Sequence, residues 1–113
     1  MKVNIKVSDF RNMTDYCDAI RDYFVSSLTS EERQFIKNSP EGNRGEFGLA
    51  LLITSQFLGQ GYVEAQEMLD AEQSKPQNEW DMDYVTYLFS ICNMNPEEYS
   101  KVIARSIIEK ICE

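Results

Sequence analysis

Apolar residues along most of this chain recur every three or four positions, the spacing that lays one apolar stripe down a helix. Phe10, Met13, Cys17, Ile20, Phe24 and Leu28 form the first stripe, with Ser8 or Thr14 placed to cap it. Thr29-Ser30-Glu31-Glu32 reads as a capping box opening a short helix through Phe35 and Ile36, which stops near Pro40. The most apolar helix, about residues 44–58, carries Phe47, Ala50, Leu51, Ile53, Phe57 and Leu58. Leu49 and Leu52 widen its surface, so it is expected to be central and the most enclosed. Gly59-Gln60-Gly61 should end it with a left-handed cap.

Residues 62–73 predict a further helix with Ala65, Met68 and Leu69 inward and its acids outward. A break at 74–78, containing Pro76, precedes a fifth helix that begins near residues 79–81. Tyr84, Tyr87, Leu88, Ile91 and Cys92 form its inward face. Asn95-Pro96-Glu97-Glu98 has the cap, the proline and the first-turn acids of a helix start. The last helix runs from 96 to about 111, with Tyr99, Val102, Ile103, Ile107 and Ile111 inward. Its bases Lys101, Arg105 and Lys110 lie toward the end that the helix dipole makes negative.

Only residues 2–7, KVNIKV, depart from this period: Val3, Ile5 and Val7 alternate with polar neighbours, as in a strand. A lone strand lacks a pairing partner, so the segment is either a strand paired with another chain, an extended arm, or, through Val3 and Val7, the lead-in to a helix. The predicted fold is all-α: one domain, residues 1–113, built as a compact bundle of five to six short helices. A chain of this length buries roughly 65% of its unfolded surface, enough for a core without metals or disulfides.

The net charge of −8 changes the picture because it sits in one segment. Residues 61–100 hold Glu64, Glu67, Asp70, Glu72, Glu79, Asp81, Asp83, Glu97 and Glu98 against Lys75 alone. Acids and bases balance elsewhere. Such a surface repels phosphates and attracts basic partners. It also serves solubility. Asp15, Asp18 and Asp22 form a second, solvated row that Arg11 and Arg21 partly neutralise.

Candidate chemistry is thin. The chain has no histidine, which removes the commonest general base and zinc ligand. Cys17, Cys92 and Cys112 are far apart, without CxxC spacing, and read as reduced thiols in a cytoplasmic protein. No apolar run approaches the roughly 18 residues of a membrane span, and MKVNIKVSDF lacks a signal-peptide core. The Gly42–Gly45 stretch could cradle phosphate, but Glu41 and Glu46 oppose it. Asp81 and Asp83 lack the remaining ligands of a calcium loop. Direct nucleic-acid binding is disfavoured because the last helix opens Pro-Glu-Glu and only Arg33, Lys37 and Arg44 make a basic patch. No cofactor, metal site or catalytic residue is expected, and the chain does not read as an enzyme.

The stretch NEWDMDY, residues 78–84, surrounds the only tryptophan with carboxylates. Locally, Glu79, Asp81 and Asp83 suit a helix N-terminus, and Trp80 can fold back on it as a hydrophobic staple. Functionally, Trp80 and Tyr84, with Met82 and Tyr87, form a candidate aromatic anchor within an acidic ring. On that reading Glu64, Glu67, Asp70, Glu79, Asp81, Asp83, Glu97 and Glu98 supply charge, while Trp80 and Tyr84 supply contact. The expected partner is a basic protein, such as a nuclease or nucleic-acid-binding protein, blocked by an acidic inhibitor of the DNA-mimic, immunity-protein or antitoxin kind, as phages and mobile elements carry. The alternative is an assembly protein acting as a homodimer, with KVNIKV and part of the 47–58 helix at its interface.

Overall fold

The computed structural model describes residues 5–39 and 45–113, without the side chain of Phe47. The Gly42–Gly45 stretch up to Arg44, and positions 2–4 of KVNIKV, lie outside them. Within the described residues every regular element is helical and the fold is all-α. The elements are α1 (Met13–Ser27), α2 (Ser30–Asn38), α3 (Glu46–Ile53), α4 (Gly59–Gln73), α5 (Met82–Asn93) and α6 (Pro96–Cys112). A π turn, Thr54–Leu58, joins α3 to α4, and short 3₁₀ turns occupy Val7–Asp9 and Gln77–Glu79.

Several helix starts follow the expected chemistry. The Thr29 hydroxyl accepts from the Glu32 amide at 3.1 Å, and the Glu32 carboxylate accepts from the Thr29 amide at 2.8 Å. Asn95 caps α6 by accepting from Glu97 N at 3.0 Å, with Pro96 in the first turn. The first helix differs: Asn12, not Ser8 or Thr14, caps it by accepting from Asp15 N at 2.8 Å. Phe10 therefore lies before the helix in extended backbone, its ring 5.8 Å from that of Tyr16. Tyr16, Ile20 and Phe24 are the buried face, and Cys17 is half-buried.

The expected break at Gly59-Gln60-Gly61 does not occur. Gly59 has ordinary helical angles (φ −64°, ψ −47°), and α3, the π turn and α4 form one unbroken rod. Its inward positions Leu49, Ile53, Phe57, Gly61, Ala65 and Leu69 recur every four residues. In a pure α-helix such a row drifts about 40° per step. The wider π turn takes up that drift, so both halves face one core. Gly61 serves close packing instead of a turn: a Cβ there would stand 2.4 Å from Tyr16 Oη and 3.4 Å from Val7 Cγ2.

α6 touches more helices than any other described element, while the 44–58 segment buries Leu49, Ala50, Ile53, Phe57 and Leu58 among its described residues. Ser100, Ile103, Ala104, Ile107, Ile108 and Ile111 are buried, and α6 packs against α1, α2 and α3. By contrast Leu51 and Leu52 are 55% and 44% exposed, and Val102 of α6, expected inward, is 61% exposed. An all-apolar run such as 49–53 cannot choose its inward face by itself, because every direction offers a hydrophobic side chain. Tyr23, Phe24 and Phe57 close the core of α1 and the rod with edge-on rings 5.4 to 5.6 Å apart.

No strand occurs among the described residues of the N-terminal segment. Ile5 is half-buried, Lys6 is extended and Val7 is buried where the 3₁₀ turn begins. Tyr87 Oη donates to the Val7 carbonyl at 2.8 Å, and the turn packs on α4. The Lys6 and Val7 carbonyls also accept from the Asp9 and Phe10 amides at 3.0 and 3.2 Å, turn bonds in place of strand pairing.

Candidate interaction site

The acids of 61–100 divide between two ends of the molecule. α4 packs on α5 through the 74–81 connection, which brings Glu72, Glu79, Asp81 and Asp83 to one end. α5 then runs about 18 Å before α6 begins, so Glu97 and Glu98 lie at the other end. There Glu97 lines a groove with Leu51, Thr54 and Lys101. A single acidic face across all ten candidate residues does not form.

At the first end, Asp81 and Asp83 take the helix-start positions expected of NEWDMDY, while Glu79 ends a separate 3₁₀ turn. Asp81 caps α5, its carboxylate accepting from Tyr84 N at 3.2 Å. Arg11, seventy positions away, pairs with the same carboxylate and lies 5.2 Å over the Tyr84 ring. The Arg11 hydrogen bond, helped by the Tyr84 amide, holds the Asp81 carboxyl below its ordinary range. Glu72 accepts from the Asp81 amide and from Lys75 Nζ, each at 3.1 Å, and is likewise held low. These bonds tie the ends of α4 and α5 to the residue just before the α1 cap.

The aromatic candidates are engaged in the same network. Trp80 packs its ring on the core and donates its indole N–H to the Lys75 carbonyl at 2.9 Å. Tyr84 is half-buried, and its hydroxyl lies 3.7 Å from Met68 Sδ. Burial lifts the Tyr84 pKa above its ordinary value. Neither ring stands out as a free anchor. The apolar side chains that α5 offers to solvent are Met82 and Phe89, 59% and 44% exposed. Phe89 was legible in sequence only by exclusion, since it falls off the face that carries Tyr84, Leu88 and Ile91.

The carboxylates left for a partner are those that form no salt bridge. Asp70, Glu79 and Asp83 at this end, Glu67 along α4, and Glu97 and Glu98 at the other are exposed and form no salt bridge among the described residues. Glu64 is half-buried, and its carboxylate is 3.5 Å from the Ser8 amide. Asp83 borders a groove of about 510 Å³ with Arg11, Asn12, Met13, Thr86, Tyr87 and Ser90. Arg21 pairs with Asp18 at 3.4 Å and Asp22 at 3.0 Å, whereas Arg11 serves Asp81 and not the α1 acids.

The half-buried thiols Cys17 and Cys92 are not activated. Burial pushes the Cys17 thiol up to about 11 and raises Cys92 as well. No three Asp, Glu or Cys side chains converge to hold a metal among the described residues. No described helix is long and apolar enough to cross a membrane. No family model, curated protein or solved structure matches this chain.

Proposed function

We propose that this protein is an acidic protein-binding module that engages a basic partner through the end where α4 meets α5. The observation that supports this reading most is the supply of cations. Within 61–100 the one base, Lys75, is spent on Glu72, and the base recruited from outside, Arg11, is spent on Asp81. Asp70 and Glu79 form no salt bridge among the described residues, and Asp83, which borders the groove of Arg11, forms none either. Exposed Met82 beside them adds apolar contact area. Charge of this kind speeds encounter with Lys/Arg-rich surfaces and weakens with salt. A nuclease or nucleic-acid-binding protein, whose basic groups ordinarily hold phosphates, fits as the partner, and the module then acts as an inhibitor by competition.

The test is a pull-down from the native host with the full chain as bait, at low salt and again at higher ionic strength. An Asp70→Lys, Glu79→Lys, Asp83→Lys variant serves as control, because these side chains neither cap a helix nor pair with a base. Asp81 stays unchanged so that α5 keeps its cap. Capture of one basic protein by the parent, lost with salt and in the variant, is the expected result. Equal capture by parent and variant would sink the reading.

A further inference from the structure

The acidic end where α4 meets α5 already holds a guanidinium, and the way it is held shows what the site takes. Arg11 lies in non-helical backbone just before the Asn12 cap, seventy positions from Asp81. Its Nη2 donates to Asp81 Oδ2, while the other carboxylate oxygen, Oδ1, accepts from the Tyr84 amide and caps α5. The cap therefore does not depend on the guanidinium. The central carbon of that guanidinium, Cζ, stands 5.2 Å from the centre of the Tyr84 ring. A carboxylate beside an aromatic face suits a planar cation, because the ring attracts the charge and the carboxylate accepts its N–H groups. Lysine, a compact and strongly hydrated ammonium, fits such a site less well. Asp83 adds its negative field from the rim of the groove that Arg11, Thr86, Tyr87 and Ser90 line.

This occupant is held loosely. The Arg11 and Asp81 side chains are 59% and 45% exposed, and pairs this open to water contribute little to stability. The surrounding fold is anchored independently: Asn12 caps α1, and the N-terminal segment is pinned by buried Val7 and the Tyr87 bond to its carbonyl. We infer that Asp81 and Tyr84 form an arginine-binding site that Arg11 covers from within the same chain, and that an arginine of the basic partner displaces Arg11 when the two proteins meet. A free arginine competes poorly, since the tether keeps Arg11 at high effective concentration. A surface bearing several cations wins, because exposed Asp70, Glu79 and Asp83 receive the others. Arg11 thus sets a threshold that excludes lone cations and admits an arginine-rich surface. This inference rests on the basic-partner reading and names the side chain that its site reads.

Fluorescence anisotropy of labelled hexa-arginine and hexa-lysine, titrated with the full chain at low salt, tests it. Arg11→Ala is expected to bind hexa-arginine about threefold or more tighter than the parent does, with a smaller gain for hexa-lysine. Arg21→Ala removes the same charge from the Asp18 and Asp22 pairs and should gain less. Adding Asp81→Asn to Arg11→Ala should abolish the gain, since asparagine keeps the cap without the charge. Adding Glu98→Gln instead, an equal change of charge at the other end, should preserve it. Circular dichroism checks folding; should Arg11→Ala not fold, Arg11→Gln also removes the charge and gives the same readout. A gain no larger than that of Arg21→Ala overturns the inference, as does an equal gain for both peptides. Binding that is lost in the Asp70→Lys, Glu79→Lys, Asp83→Lys variant but indifferent to Arg11→Ala overturns the cover and leaves the basic-partner reading standing. Absence of binding by every variant also overturns the inference, while the reading itself stands or falls with the pull-down.

Discussion

Two glycines in one rod, Gly48 and Gly61, should respond to alanine with opposite signs, and Gly61 is the sharper case. A helical Gly→Ala change gains about 0.5–1 kcal/mol from backbone entropy. At Gly61 the added Cβ would lie 2.4 Å from Tyr16 Oη, and Tyr16 is 1% exposed with Val7 packed beside it. The phenol has no open side to move into. Forcing a methyl into such a site costs about 1–3 kcal/mol. The net expectation for Gly61→Ala is a loss of roughly 1–2 kcal/mol, or several degrees in Tm. Tyr16→Phe removes the clashing oxygen and leaves Cζ, 3.4 Å away, as the nearest ring atom. In that background Gly61→Ala should be neutral or stabilising. Gly48→Ala meets no atom within 4 Å among the described residues and should stabilise by about 0.5–1 kcal/mol. Urea unfolding in dilute protein, with the four corners of the Gly61/Tyr16 cycle, supplies the numbers. A Gly61→Ala chain at least as stable as the parent, with no coupling to Tyr16, would refute the close-packing argument and return Gly61 to the role of a turn residue.

Other outcomes follow from the same geometry. Thr29→Ala removes one half of the α2 capping box and should lower stability by about 1 kcal/mol, read as a lower urea midpoint with an unchanged slope. Alkylation near pH 8, followed by mass spectrometry, should label exposed Cys112 first and Cys17 last, because the Cys17 thiol is half-buried and pushed up to about 11; early labelling of Cys17 would contradict its packing. Tyr16 and Tyr87 are held by burial well above the ordinary tyrosine pKa. Unfolded tyrosines lose their protons near about pH 10 while these keep theirs, so their contribution is complete below that pH and falls as pH rises beyond it. Tyr87→Phe should flatten that alkaline decline, at the expense of the bond to Val7; an unchanged decline in both single Tyr→Phe variants would count against it. On the acid side, Glu32, Glu72 and Asp81 are held low by their hydrogen bonds. Their stabilisation is present above about pH 4 and is lost as pH falls through their lowered values, which a urea midpoint series from pH 6 to about 3 would register.

Much of this molecule was settled by short-range chemistry that a sequence displays. The Thr29–Glu32 box, the Asn95-Pro96 start and the acids at Asp81 and Asp83 act within one helical turn, so their outcome depends on neighbours along the chain. The all-α class followed from the same periodicity. What lay beyond local reading was decided where distant segments meet. Arg11 and Asp81 stand seventy positions apart, and nothing in either neighbourhood announces the pair that takes one carboxylate and one base out of the acidic surface. The glycines at 59 and 61 looked like a stop signal, but Tyr16 and Val7 needed the room that Gly61 leaves, and the π turn kept the rod in phase with its core. The run from Leu49 to Ile53 was apolar in every direction, so sequence determined that it would be helical, while only packing against α6 decided that Leu49, Ala50 and Ile53 turn inward and Leu51 and Leu52 face out. Charge and periodicity are properties of the chain; which charges stay uncompensated and which apolar side chains remain uncovered depends on the three-dimensional arrangement of helices that share no sequence neighbourhood.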